Sequence, residues 1–319
     1  MPPFPKPKFA NPYDVKAEIK AMRTYRDTKE GRQIPGKAPD HLLVATWNIA
    51  NLGVQQRDAN AYQLIAEILS WFDLVAIQEC NDDLAGLRAI LAEMPSSYAA
   101  VFSGAAGNHE RMAYVYDTKR LAPQEKVGGL SIPPSALPKI KVMGVEAKFQ
   151  GFDRNPYMAS WKAGSLTFLL LNVHLYYGGP TGKKLDRRIL ETFAVAHWAD
   201  ERRKSKHAYT KNIVALGDFN LPQVDEKDPI YKQLVSKGLV LPQHSTAIGS
   251  SIVDDQHYDQ IAFFPGDMQK RCGASGVFDY DGAVFRDLWD PAGKDNKKFF
   301  AYVRYYLSDH RPLWAQFKL

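Results

Sequence analysis

The stretch Ser308-Asp309-His310-Arg311-Pro312, followed directly by the apolar run Leu313-Trp314-Ala315-Gln316-Phe317, decides how this chain is read. The run predicts a buried strand over Pro312–Phe317, and the Asp-His pair stands at its mouth. The same design recurs upstream. Trp47-Asn48-Ile49, Ile77-Gln78-Glu79, Asn172-Val173-His174 and Gly217-Asp218-Phe219-Asn220 each end a strand-like apolar run with an oxygen ligand or a histidine.

Each side chain suggests a role. The amide oxygen of Asn48 suits a hard cation or its water. A carboxylate such as Glu79, directly after a buried strand, is costly to keep charged without a cation, and magnesium prefers oxygen ligands while keeping several waters. Asp218 and Asn220, two apart on extended chain, point the same way and address one spot, and Gly217 lets the backbone turn there. Asp259, in Tyr258-Asp259-Gln260-Ile261, is placed to hold an imidazole by its ring N–H.

Outward from these points the chain alternates. Strands are predicted at Leu42–Trp47, Asp73–Gln78, 97–103, 111–117, 141–149, 157–163, Leu166–Val173, Asn212–Leu216, 258–264 and 299–304. Helices are predicted at Asn60–Phe72, Asp82–Glu93 (Asp82 near its cap) and Lys183–Arg203. Residues 1–40 are Pro-rich and then charged, with room for a short helix in Asp14–Gln33. They read as an N-terminal extension to a single body spanning 41–319. Helices between early strands and clustered later strands point to layered α/β packing around two sheets. No Gly-rich fingerprint follows the first strand, which argues against a dinucleotide-binding unit.

The 319 residues carry 41 Lys plus Arg against 35 Asp plus Glu, a formal net charge of +6, which favours polyanionic partners. Two cysteines, Cys80 and Cys272, exclude a disulfide framework or a thiolate metal site. No leader is visible at Met1–Lys8, so a cytoplasmic setting is expected, with secretion open if a leader was removed. No apolar run reaches membrane-spanning length, and a monomer is expected.

Taken together, the motifs Thr46-Trp47-Asn48, Gln78-Glu79, Asn172-Val173-His174, Gly217-Asp218-Phe219-Asn220, Tyr258-Asp259-Gln260-Ile261 and Ser308-Asp309-His310 resemble, in order, those of the endonuclease/exonuclease/phosphatase (DNase I-like) superfamily. The resemblance covers about residues 41–319. It implies a four-layer α/β sandwich of two mixed, mainly antiparallel sheets with the site at one edge. It further implies that Glu110, in His109-Glu110-Arg111, orients His174, and that Arg154, in Arg154-Asn155-Pro156, contacts substrate phosphate. Asn172-Val173-His174 departs from the Tyr/Asn pattern of the AP-endonuclease branch. The Pro-Ala-Trp-x-Asp-Arg element of the inositol 5-phosphatase branch is absent.

The implied activity is Mg²⁺-dependent phosphodiester hydrolysis (Mn²⁺ substituting), with DNA as the first substrate expected. Glu79, Asn48 and Asp309 would hold the metal, and Asp218 would orient or deprotonate water. Asn220 would bind phosphate or that water. His310, held by Asp259, and His174, held by Glu110, would serve the phosphoryl group. Basic clusters at Lys183, Lys184, Arg187 and Arg188, at Arg202–Lys206 with Lys211, and at Lys294, Lys297 and Lys298 are candidates for flanking phosphates, and Tyr305 and Tyr306 for base stacking. Two other readings stay open: a phospholipid, sphingomyelin or inositol-phosphate phosphoesterase, and a catalytically silent binding module. Phe278–Trp289 reads as an insertion that shapes substrate choice.

Overall fold

The computed structural model describes residues 3–244, 248–293 and 295–319, so Lys294 lies outside the described residues. In chain order the elements are α1 (Val15–Thr28), β1 (His41–Leu52), α2 (Ala59–Ser70), β2 (Leu74–Asn81), α3 (Ala85–Glu93), β3 (Tyr98–Phe102), β4 (Glu110–Asp117), β5 (Ala122–Gly129), β6 (Tyr157–Ala163) and β7 (Leu166–His174). They continue with α4 (Gly182–Lys204), β8 (Ile213–Asp218), α5 (Pro229–Val235), β9 (Asp259–Phe263), α6 (Asp267–Arg271), β10 (Cys272–Val277), α7 (Lys297–Tyr306) and β11 (Leu313–Lys318).

Among the described residues, one sheet has the order β10-β11-β1-β2-β4-β3 and the other β5-β6-β7-β8-β9. Only β1/β2 and β7/β8 pair in parallel; the remaining pairs are antiparallel. Side-chain alternation builds the layers. In β1, Leu43, Ala45, Trp47 and Ile49 join the core under α2, α3 and α7, while Leu42 and Val44 join the core between the sheets. In β7, Phe168 and Leu170 face the inter-sheet core, and Leu169, Leu171 and Val173 face the core beside α4 and α5. Strands buried on both faces read as continuous apolar runs, which is why these were found from sequence. The result is the expected four-layer sandwich.

Some expectations need correction. Residues 299–304 lie in helix α7, not a strand. Phe299, Tyr302, Val303 and Tyr306, at i, i+3, i+4 and i+7, are its buried face, and their aromatic and β-branched character mimicked strand composition. Residues 141–149 form no strand; Ile140 and Phe149 instead pack on Leu190 and Phe193 of α4. Strands β5 and β10 were missed because their alternation is weak and Gly-rich. Helix α3 starts at Ala85, and Asp82 pairs with Arg111 instead of capping it.

Residues 3–40 lie along the first sheet's helical side. Met22 and Ile34 are buried in that core, Arg23 pairs with Glu67, and Tyr25 and Arg32 both reach Asp279. Phe278–Trp289 is mainly core: Phe278, Tyr280, Val284 and Phe285 are fully buried. Among the described residues no helix is long and apolar enough to cross a membrane.

Candidate active site

The sheet topology gathers the motifs. Parallel strands β1 and β2 end at the same edge with Asn48 and Glu79, and β7 and β8 end there with His174 and Asp218. Strands β4, β9 and β11 run antiparallel to these neighbours, so they begin at that edge, with Glu110, with Asp259 and just after His310. His174 pairs across the ladder with Asp218, and Asp218 with Asp259.

Asp218 is the hub. Its Oδ2 accepts from Asn48 Nδ2 at 3.0 Å and lies 3.7 Å from His174 Nε2 and 3.9 Å from His310 Nε2. Each imidazole is backed by a carboxylate. His310 Nδ1 is 2.7 Å from Asp259 Oδ2. His174 Nδ1 is 3.1 Å from Glu110 Oε2. Arg154 holds Glu110 in turn, its Nε donating at 2.8 Å and an Nη at 3.3 Å. Its remaining Nη donates to Asp153, so the guanidinium expected to meet phosphate lines the cleft while engaged with two carboxylates.

The local backbone explains how the carboxylates aim. Glu79 sits at a bulge in β2 with φ of 60°, in the left-handed region. That conformation costs about 1–2 kcal/mol for a residue with a Cβ. It is offset by two bonds to the carboxylate: Asn48 Nδ2 at 2.9 Å and the Asn51 N–H at 2.8 Å. Asn220 also has a left-handed φ, 52°. Asp218 and Asn220 therefore share the cleft through a turn in which Asp218 Oδ1 accepts the Asn220 N–H, not through strand alternation. Gly217 likewise makes no turn: it stays in β8, paired with Val173 and Gln260.

Buried groups to which the sequence reading gave no bracing role hold the site. Ser308 Oγ donates to Asn48 O and accepts the N–H groups of Ala50 and His310. Tyr280 OH and Trp47 Nε1 hold the His310 carbonyl. Ser250 accepts the Asp259 N–H on its hydroxyl and the Arg311 N–H on its carbonyl. Arg188, expected on a basic surface, is buried and donates to Asn220 O at 2.5 Å. The cleft also takes in Asn108, Tyr176 and Tyr177, with a volume near 270 Å³. The sequence signal for Tyr176 and Tyr177 was their position directly behind His174.

Burial pulls the His310 imidazole toward neutrality, but Asp259, Asp309 and Asp218 outweigh it and raise its pKa well above the ordinary value. These three carboxylates favour the protonated ring. Burial raises the Asp218 carboxyl against the pull of His310, and raises Asp309, with Glu79 adding to the effect. Glu110 moves the other way. Burial pushes it up, but His174 and Arg154 overcome this and hold it at about 2, against an ordinary value of 4.5. Its charge therefore stabilises the fold above about pH 4.5, and that contribution fades as pH falls through about 2. Glu110→Gln is expected to lose on the order of 2 kcal/mol at pH 7. Urea melts of variant and parent should converge as the pH approaches 2; a gap independent of pH would contradict the assignment.

Among the described residues no three His, Cys, Asp or Glu side chains are grouped as a ready metal site. The donor chemistry nonetheless fits a hard cation. Asn48 Oδ1 is a buried acceptor without a partner, beside the carboxylate of Glu79, and Asp309 adds a nearby carboxylate. An amide and carboxylates that leave room for waters suit magnesium.

Of the basic clusters, Arg202–Lys206 lies at the far end of α4, a 23-residue helix about 34 Å long. Lys297 and Lys298 begin α7, whose other end approaches the site. Of the Lys183–Arg188 stretch, Arg187 and Arg188 reach the cleft's edge, through Asp153 and Asn220. Tyr305 and Tyr306 are buried packing residues, 4 % and 9 % exposed, with no face for a base.

No family model and no curated protein matches the sequence. Solved structures do. A mannosyl-6-phosphatase from Bacteroides thetaiotaomicron matches with 20 % identity and a TM-score of 0.57, over 86 % of this chain and 98 % of that one. An endonuclease/exonuclease/phosphatase family protein from the same species matches with 19 % identity and 0.56, over 86 % and 94 %. D. rerio TDP2 complexed with single strand DNA product matches with 12 % identity and 0.53, over 88 % and 99 %. With the strand order, the layers and the converging strand ends, this likeness gives the chain the DNase I-like fold of the endonuclease/exonuclease/phosphatase proteins.

Proposed function

We propose that the chain is a divalent-metal-dependent phosphoester hydrolase. The observation that carries this is the pair of carboxylate-backed imidazoles whose Nε2 atoms both face one carboxylate oxygen, Asp218 Oδ2, at 3.7 and 3.9 Å. A charged phosphoryl group between two such rings gains hydrogen bonds that strengthen as negative charge builds. His310, backed at Nδ1 by Asp259, donates from Nε2 to a phosphoryl oxygen. Asp218 orients the attacking water and takes its proton, a task suited to a carboxyl whose pKa is raised. His174, positioned by Glu110, supplies the second donor. Asn48, Glu79 and Asp309 are the residues that would hold a magnesium ion. When bound there, the ion supplies electrophilic pull on a phosphoryl oxygen.

For the substrate we keep a DNA phosphodiester as the leading reading. The +6 net charge and the likeness to a protein complexed with a single-stranded DNA product support it. A sugar phosphate is the second reading. It is favoured by the small cleft, by the engagement of Arg154 and Arg187 with the protein's own carboxylates, and by the likeness to a mannosyl-6-phosphatase.

Plasmid nicking and oligonucleotide cleavage, run beside phosphate release from mannose 6-phosphate, inositol phosphates and phospholipids, test both. Turnover is expected to vanish in EDTA and return with Mg²⁺ or Mn²⁺. Undiminished turnover in EDTA would exclude the metal-dependent reading, and silence on the whole panel would leave a binding module.

A further inference from the structure

A second concavity lies against the first. Its volume is about 330 Å³, and its lining includes Lys148, Gln150, Phe149 and Phe152 from the segment between β5 and β6, with Lys183 and Arg187 from α4. Arg187 forms the wall between the two hollows. Its guanidinium donates to Asp153 at 2.9 Å and Glu191 at 3.0 Å, and stacks 4.3 Å from the ring of Tyr176. Asp153 and Tyr176 line the catalytic cleft on the other side.

The charges on the two sides differ. In the cleft the guanidinium of Arg154 is engaged by Glu110 and Asp153. No carboxylate lines the second hollow. Among the described residues, Lys148 and Lys183 form no salt bridge, and Asp153 and Glu191 are engaged by Arg187. Two unpaired ammonium groups in one concave, partly apolar hollow concentrate positive potential where field lines are focused. Their expected ligand is a compact, multiply charged anion, and the shared wall places it on the same molecule as the group being cut.

We propose that this hollow is a phosphate subsite. It binds a second phosphate of the substrate whose phosphoester is cleaved next door, through Lys148 and Lys183. The inference rests on the phosphoester-hydrolase reading. The second phosphate is either a flanking one in a polynucleotide or one on a small bisphosphorylated molecule; the chemistry at the two lysines is the same.

The test compares the parent with Lys148→Ala/Lys183→Ala and with Lys183→Glu. Both lysines are exposed, so the variants should fold normally. Three substrates are used: bis-p-nitrophenyl phosphate, which has one phosphate, a short oligonucleotide, and a sugar bisphosphate. The double variant is expected to raise KM about tenfold on a substrate with a second phosphate. Its kcat should be unchanged, as should KM for the one-phosphate ester. On an oligonucleotide, the slope of log affinity against log salt should fall by about one to two. A KM effect confined to the oligonucleotide assigns the subsite to a chain phosphate, and one confined to the sugar bisphosphate to a small molecule.

Unchanged KM on both phosphate-rich substrates, or an equal rise on all three, would overturn the subsite. Absence of turnover on every substrate would instead count against the hydrolase reading. The subsite would then be judged by oligonucleotide and pyrophosphate binding: weaker binding by the variants supports it, and equal binding overturns it.

Discussion

Asp218→Asn is expected to lower kcat by about 10²–10⁴-fold while leaving the protein folded. The side chain makes two separable kinds of contact. Oδ1 accepts the Asn220 N–H at 2.8 Å, and an asparagine oxygen of the same shape keeps that bond and the turn it closes. Oδ2 is the atom that both imidazoles and Asn48 Nδ2 face. There an amide nitrogen removes the negative charge, sets one donor against another, and leaves water without a base. Because burial already raises the Asp218 carboxyl, neutralising it costs little folding energy, so the loss should fall on turnover. Thermal unfolding and single-turnover rates on the best substrate of the panel separate the two. Near-parental turnover in a folded variant would dismantle the proposed site, because among the described residues no other carboxylate oxygen lies within 4 Å of both rings.

Gly217→Ala is expected to cost more than about 4 kcal/mol, or to yield no soluble protein. The residue has φ of 132°, where side chains rarely go, and a Cβ built there would stand 2.2 Å from Val173 O and 2.8 Å from Val173 N. These are backbone atoms of the parallel neighbour, and no rotamer change relieves the clash. Strands β7 and β8 would have to part at the point where His174 faces Asp218. Gly128→Ala is the control: nothing lies within 4 Å of its added Cβ, and its stability should change by no more than about 0.5 kcal/mol. Urea melts of both variants decide it, and a Gly217→Ala protein within about 1 kcal/mol of the parent would refute the close-approach account.

The strands that set the architecture were legible because each is buried on two faces. Leu166–Val173, Asp73–Gln78 and Pro312–Phe317 leave a nearly unbroken apolar trace, and the structure has a strand at each, the second running on to Asn81. Helix α7 was misread because its buried face is made of Phe299, Tyr302, Val303 and Tyr306, residue types that favour strands when spacing is ignored. Loop 141–149 was misread for a related reason: its apolar residues are needed to cover Leu190 and Phe193 of α4, not to pair in a sheet.

By itself the sequence determined which polar side chains terminate buried runs, since a charge or amide abutting an apolar strand is conspicuous in one dimension. Only the tertiary structure decided how those side chains aim and which are already satisfied. The left-handed Glu79, the Asx turn at Asn220, the engagement of Arg154 by Glu110, and the burial of Arg188 and the paired tyrosines all depend on partners roughly 30 to 250 positions away, or on a backbone torsion. Spacing along a chain records periodicity within an element. It holds no record of which distant donor reaches a given oxygen once two sheets have closed upon each other.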